Sequence, residues 1–459
     1  MFTNFKSYLF IVFAGFSLFG SFTAVSQPQI DEISGQFDDG TYWLAMKPDN
    51  WNGTLLLNLD GAGYRRGNDA PVRRIRAFEQ WLFKQGYAMG GITREPVSYD
   101  FIQAGAYLMD VRDLFIREWE EPSRTLAVGT SRGAFAVRMN LELYPEIFDG
   151  GFMTAGGGGG EIAVLNNKLN SVFVMKTLVN PDSPMRLVNI ETQAENAAWA
   201  ALVEEASATA QGRARLAFSA AMQQLATWAV PGAPKPAADD YEAQLDQITE
   251  VMAFATAIPV RGGIENIARG NVSWNTDADY EDLLNRSGRR EMVEYFYRQA
   301  GLSLQDDLNV LANTPRISAN AGAIRRIEPM MTYSGRIQDP LVNLDNDDVV
   351  DPAPDKLAYL DTLSNAGRDH LFRLIWTDIA GHATHSGLEM AVGFSLLINR
   401  IDSGQWQDTS VPALYELAME IQAANADLDM GEVHFFNPGP LPQPLNTWDI
   451  SRWGSYQTE

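Results

Sequence analysis

The chain has 459 residues, 46% apolar and 20% charged, with no cysteine; 35 Lys and Arg against 58 Asp and Glu leave a net charge of −23. The apolar content and the 11% of aromatic residues exclude a disordered chain. The lack of Cys excludes a disulfide scaffold, a Cys-ligated zinc fold and a cysteine nucleophile, and a strongly negative surface without a basic stripe argues against a nucleic-acid partner.

Residues 1–26 carry Lys6, then the apolar run Tyr8 to Phe22, then the small residues Ala24 and Ser26 before Gln27. This pattern predicts a cleavable secretory signal peptide and a secreted or periplasmic protein. The run falls short of the roughly 20 apolar residues that a span requires. No later stretch is long and apolar enough to cross a bilayer, so no membrane association is expected after cleavage.

From Ile33 to about Gly160, short apolar strands alternate with helical periods. Strands are predicted at Thr54–Leu59, Tyr87–Ile92, Thr125–Val128 and Phe148–Thr154, and helices at Ala70–Gln85, Phe101–Trp119 and Ala134–Tyr144. Such alternation implies a mostly parallel sheet covered on both faces. Residues 161–320 change character. Helical spacing dominates at Ala194–Ala206, Ala214–Trp228, Tyr241–Ala257 and Asp279–Gln299, and the Pro-rich segment Val230–Pro236 interrupts it. The pattern then resumes with strands at Pro340–Leu344 and Leu371–Trp376 and helices at Asp355–Ser364 and Gly387–Asn399. The reading is an α/β core of residues 27–160 and 321–459, with an inserted helical cap at 161–320. The tail 430–459 is expected to wrap the surface.

Gly129-Thr130-Ser131-Arg132-Gly133 is a G-x-S-x-G pentapeptide between a predicted strand and a predicted helix. That spacing suits a nucleophilic serine on a tight turn, where the flanking glycines avoid clashes between strand and helix. A serine nucleophile needs a general base oriented by an acid. Of the four His, His382 lies on a loop just after a predicted strand, where a base belongs; His385 is the second candidate, and His370 and His434 read as structural. The acid is expected after another strand, where Asp345, Asp347, Asp348 and Asp351 compete. A calcium site is the rival reading of this cluster, although the D-x-[DN]-x-[DN]-G spacing is missing.

The order Ser131, Asp, His382 resembles the α/β-hydrolase superfamily. Its D-x-x-V-P pattern is similar to Asp347-Asp348-Val349-Val350, with Asp351 inserted before Pro352, and implies Asp347 as the acid with Asp348 as the alternative. Gly381-His382 and Trp51-Asn52-Gly53-Thr54 are similar to secreted esterases and peptidases of the superfamily. The resemblance covers roughly residues 30–160 and 325–405, and implies an α/β-hydrolase fold whose helical cap varies between members. It also implies an oxyanion hole built from the backbone N–H of Arg132 with that of Ala62 or Gly61. Members commonly carry His-Gly where this chain has Asp60-Gly61; backbone donors tolerate that change.

These features predict a secreted serine hydrolase that cleaves a small-molecule carboxylic ester and uses no metal or organic cofactor. A serine exopeptidase is the alternative, with Glu204, Glu205 or Glu250 of the cap holding a substrate amine. A catalytically inactive binding protein, suggested by Asp60, is the third reading. The run Gly156–Gly160 reads either as a lid hinge or as a loop in close packing.

Overall fold

The computed structural model describes residues 28–58, 64–66, 71–73, 76–93, 99–190 and 192–446. The signal-peptide reading, Asp60, Gly61 and Ala62 lie outside the described residues. An eight-stranded sheet in the order β1-β2-β6-β3-β7-β8-β9-β10 forms the centre. Its strands are β1 (Ile30–Gln36), β2 (Tyr42–Pro48), β3 (Thr54–Asn58), β6 (Ala88–Thr93), β7 (Arg124–Thr130), β8 (Gly151–Thr154), β9 (Leu341–Asp345) and β10 (Phe372–Trp376). β2 pairs antiparallel with β1 and with β6, and every other pairing is parallel. A separate hairpin joins β4 (Tyr64–Arg66) and β5 (Pro71–Arg73). The inner strands read as continuous apolar runs because both sheet faces are covered; β3 and β8 are buried along almost their whole length.

One face is covered by α2 (Phe101–Glu118), α3 (Arg132–Leu143) and α13 (Ala353–Asn365). The other carries α1 (Ala77–Lys84), α14 (Gly387–Ser403) and α15 (Val411–Ala424). Phe394 of α14 is fully buried, its ring 5.8 Å from Phe152 and 5.1 Å from Tyr87. Burying such a side chain contributes about 1.5–3 kcal/mol. Between β8 and β9 the chain is helical, from α4 (Glu161–Leu178) to α12 (Ala321–Met331). Within it, α5 (192–207), α6 (Ala210–Ala221), α7 (Tyr241–Thr256), α9 (Tyr280–Arg286), α10 (Arg290–Ala300) and α11 (Leu304–Asn313) contribute to a hydrophobic core separate from those of the two sheet faces, while α8 (Ile258–Ala268) packs against α12. This is the α/β-hydrolase fold with a helical insertion.

Several elements depart from the sequence reading. The predicted helix 70–85 begins only at Ala77. Its first residues pair in the β4–β5 hairpin, and the Arg76 backbone N–H donates to Glu79 Oε2 at 3.0 Å, capping the helix start. The helix predicted over 214–228 ends at Ala221, where Gln224 turns left-handed (φ 52°) and its amide donates to the carbonyls of Ser287 and Gln443. The period over 279–299 is two helices, divided at Ser287-Gly288, where Gly288 has φ 72°. The tail crosses the end of β10, with Thr377 bridged to Phe435.

Candidate active site

Ser131 sits between β7 and α3 at φ 57° and ψ −123°, a strained conformation for a non-glycine residue. Its N–H donates to the Thr154 carbonyl at 3.0 Å, which ties the turn to β8. A Cβ at Gly129 would stand 2.2 Å from the carbonyl oxygen of Gly133, so only glycine permits this approach of strand and helix. The turn lifts Oγ above the C-terminal edge of the sheet.

His382 hangs on the loop after β10. Its Nε2 lies 2.8 Å from Ser131 Oγ, and its Nδ1 lies 2.9 and 2.8 Å from the two carboxylate oxygens of Asp348. Asp348 is fully enclosed and its Oδ1 also accepts from the Val350 N–H at 2.7 Å. Burial works against its charge, but the His382 ring, its hydrogen bond and the Lys356 ammonium outweigh burial and hold the carboxyl below its usual range. Burial likewise opposes a charged His382, yet Asp348 raises its pKa above the ordinary 6.5.

Asp347 does not reach the histidine. Its side chain is 41% exposed, its Oδ1 accepts from the Ala353 N–H at 3.0 Å at the start of α13, and its Oδ2 lies 3.9 Å from Arg289. The structure therefore gives the acid position to Asp348, the alternative, and corrects the expectation for Asp347. Asp348 keeps the four-residue separation from Pro352 found in D-x-x-V-P, whereas Asp347 keeps only the separation from Val350. His385 makes no hydrogen bond to Ser131. Both its ring nitrogens are buried without hydrogen-bond partners, and it lines a cavity of about 340 Å³ with Asn58, Thr130 and Thr154. Burial pushes its pKa down to about 4, so it is neutral at ordinary pH. Arg132 opens α3 directly after the nucleophile, the position that supplies one oxyanion donor in such turns.

Three features escaped the sequence reading. Asn346 donates from Nδ2 to the carbonyls of Ile379 and Gly381, at 3.1 and 3.0 Å, and so clamps the histidine loop to the end of β9. Lys356 is fully enclosed and its Nζ lies 3.4 Å from Asp345 Oδ1; it also donates to the Asp351 carbonyl. Among the enclosed carboxylates this ammonium therefore sits beside Asp345, while Asp348 faces His382. Among the described residues no group of three or more His, Asp or Glu is placed to hold a metal ion. The third is the cap contact described below.

The glycine run is a close-packed crossing. A Cβ at Gly156 would stand 2.4 Å from that of Ala134, and one at Gly158 would stand 2.3 Å from the Asp355 carbonyl oxygen. Arg138 Nη2 donates to the Gly156 carbonyl at 3.0 Å, while the Gly156 N–H donates to Asp345 Oδ2 at 3.2 Å. Beside it, burial lifts Glu161 to about 8 and Asp355 to about 7. Glu204, Glu205 and Glu250 are exposed on the cap helices.

No family model matches the chain. It is similar to an o-phthalyl amidase of Xanthobacter agilis, 27% identical over 449 residues, covering 91% of this chain and 96% of that protein. Among solved structures it is similar to an esterase from Aspergillus oryzae, with a TM-score of 0.38, 12% identity and coverage of 82% of this chain and 80% of that one. A carboxyl esterase from Bacillus coagulans gives a TM-score of 0.35, 11% identity and coverage of 82% and 97%. Likeness of that degree to solved structures has no bearing on activity.

Proposed function

We propose that this α/β-hydrolase cleaves a carboxylic amide or ester of a small molecule through a serine acyl-enzyme. The observation that carries the reading is the unbroken chain from Ser131 Oγ through His382 to Asp348, every link 2.9 Å or shorter. His382 Nε2 takes the proton from Ser131 as Oγ attacks the acyl carbon, then gives it to the departing nitrogen or oxygen. Asp348 holds Nδ1–H and stabilises the imidazolium. The Arg132 N–H, with a donor from 61–62, stabilises the tetrahedral oxyanion. Water then releases the acid with His382 again as base. An amide is the first reading because of the full-length similarity to o-phthalyl amidase. Esters of the same acid are expected to react as well, since an alkoxide leaves more readily than an amide anion. Glu204, Glu205 and Glu250, the carboxylates of the exopeptidase alternative, are exposed on the cap helices, and an assembled triad argues against an inactive binding protein.

The test is labelling by a fluorophosphonate, followed by hydrolysis of phthalyl amides and matched aryl esters. Labelling at Ser131 that Ser131→Ala abolishes is expected, with turnover lost in that variant. A wild-type chain that neither labels nor hydrolyses any acyl substrate overturns the reading. We further propose that residues 1–26 direct export, which N-terminal sequencing of the exported protein would check by a start near Gln27.

A further inference from the structure

Phe254 lies in the last turn of α7 and is 59% exposed, although the neighbouring Met252, Ala255 and Thr256 are buried in the cap. Its ring stands 6.0 Å from the imidazole of His382 at 61°, an edge-on approach. The cap is seated on the histidine loop at the same place. A Cβ at Gly381 would stand 2.6 Å from Pro231 Cγ, and Lys235 Nζ lies 2.5 Å from Asp378 Oδ1. The phenyl ring is therefore held beside the base.

Chemistry fixes which part of a substrate meets it. The proton that His382 Nε2 takes from Ser131 must go to the leaving atom, which then lies within hydrogen-bond reach, about 3 Å, of that nitrogen. Substituents on that atom begin beside the imidazole and extend past it. An exposed phenyl ring there leaves apolar surface in water that a covering apolar group would bury, and an aromatic group gains further by packing against it at ring separations of about 4.5–7 Å. We infer that Phe254 forms the leaving-group subsite and selects substrates whose departing amine or alcohol is aromatic. This rests on the acyl-hydrolase reading above.

The experiment compares kcat/KM for phenyl and ethyl esters of one acid. This parameter covers steps up to acylation, so the shared deacylation does not mask the comparison. In Phe254→Ala the phenyl-to-ethyl ratio is expected to fall about tenfold, and in Phe254→Tyr to return towards wild type. Met419→Ala, an exposed apolar side chain on α15, leaves the ratio unchanged. Labelling by diisopropyl fluorophosphate, whose leaving fluoride carries no ring, should follow the ethyl ester. A ratio within about twofold of wild type in Phe254→Ala, or equal losses on both esters, overturns the inference. Aniline binding to Ser131→Ala, followed by NMR with and without Phe254→Ala, separates the two readings. If wild-type Ser131 never labels but Phe254→Ala weakens aniline binding, the hydrolase reading fails and the aromatic subsite stands; if aniline binding is unaffected, the subsite falls.

Discussion

Lys356 Nζ stands 3.4 Å from Asp345 Oδ1, with both side chains fully enclosed beside the aspartate that holds His382. Burial disfavours this ammonium, but Asp345, Asp348, Asp351 and Asp355 raise its pKa above the ordinary value. Removing one partner of a buried charge group leaves the others uncompensated, at about 3–5 kcal/mol. Lys356→Met is therefore expected to lower stability by about that amount in urea unfolding. A loss below about 1 kcal/mol would show that the cluster is not held by this charge.

The same enclosed acids set the response of the fold to pH. Burial raises Asp345 to about 6, Asp355 to about 7 and Glu161 to about 8. Between the unfolded carboxylate range near pH 4 and about pH 8, the native state then binds more protons than the unfolded chain, so stability falls as pH rises. His382, raised above its ordinary value, acts in the same direction, losing its contribution as pH climbs through its folded pKa. His385, lowered to about 4, opposes them. Asp339, raised by burial to about 6, joins these acids and His382, while burial-lowered Lys168 joins His385 against them; on this balance the Tm is expected to rise on acidification from pH 8 to about 5, as differential scanning calorimetry would show. A Tm that falls steadily over this range contradicts the assignment.

Asp347 and Asp348 are neighbours with opposite expected phenotypes. Asp348→Asn leaves the imidazole in the wrong tautomer and should lower kcat about 10³–10⁴-fold. Asp347→Asn removes one contact at the start of α13 and should change kcat less than about threefold. Steady-state kinetics on one good substrate distinguishes them, and the reverse order would restore Asp347 as the acid.

Activity is expected to fall on acidification as His382 protonates, with the midpoint of kcat/KM above 6.5, because Asp348 favours the imidazolium. In Asp348→Asn, burial acts on the ring without that opposition, so the residual activity should persist to lower pH. An acid limb that stays in place in the variant argues against Asp348 as the source of the shift.

Gly158 distinguishes close packing from a hinge. A Cβ there meets the Asp355 carbonyl oxygen at 2.3 Å, and backbone cannot step aside cheaply. Gly158→Ala should destabilise by at least about 2 kcal/mol in urea unfolding. A neutral result would indicate slack in this crossing and favour a hinge.

The sequence by itself determined the layered α/β core, the strand-to-helix turn that carries Ser131 and the loop after a strand that carries His382. Each rests on local chemistry: strand–helix alternation, a turn that only Gly129 permits, and a histidine placed just past a strand. Tertiary structure alone decided between Asp347 and Asp348, because adjacent side chains leave the backbone in different directions and only the meeting with a ring 34 residues away selects one. It likewise made Lys356 the counter-ion of the acid cluster, made the glycine run a crossing of backbones, and set Phe254 beside His382. The aspartate, the glycine run and Phe254 meet partners 22 or more residues away; Lys356 lies only 11 residues from Asp345, but the two are joined by how α13 packs against the end of β9, and no local spacing encodes these meetings.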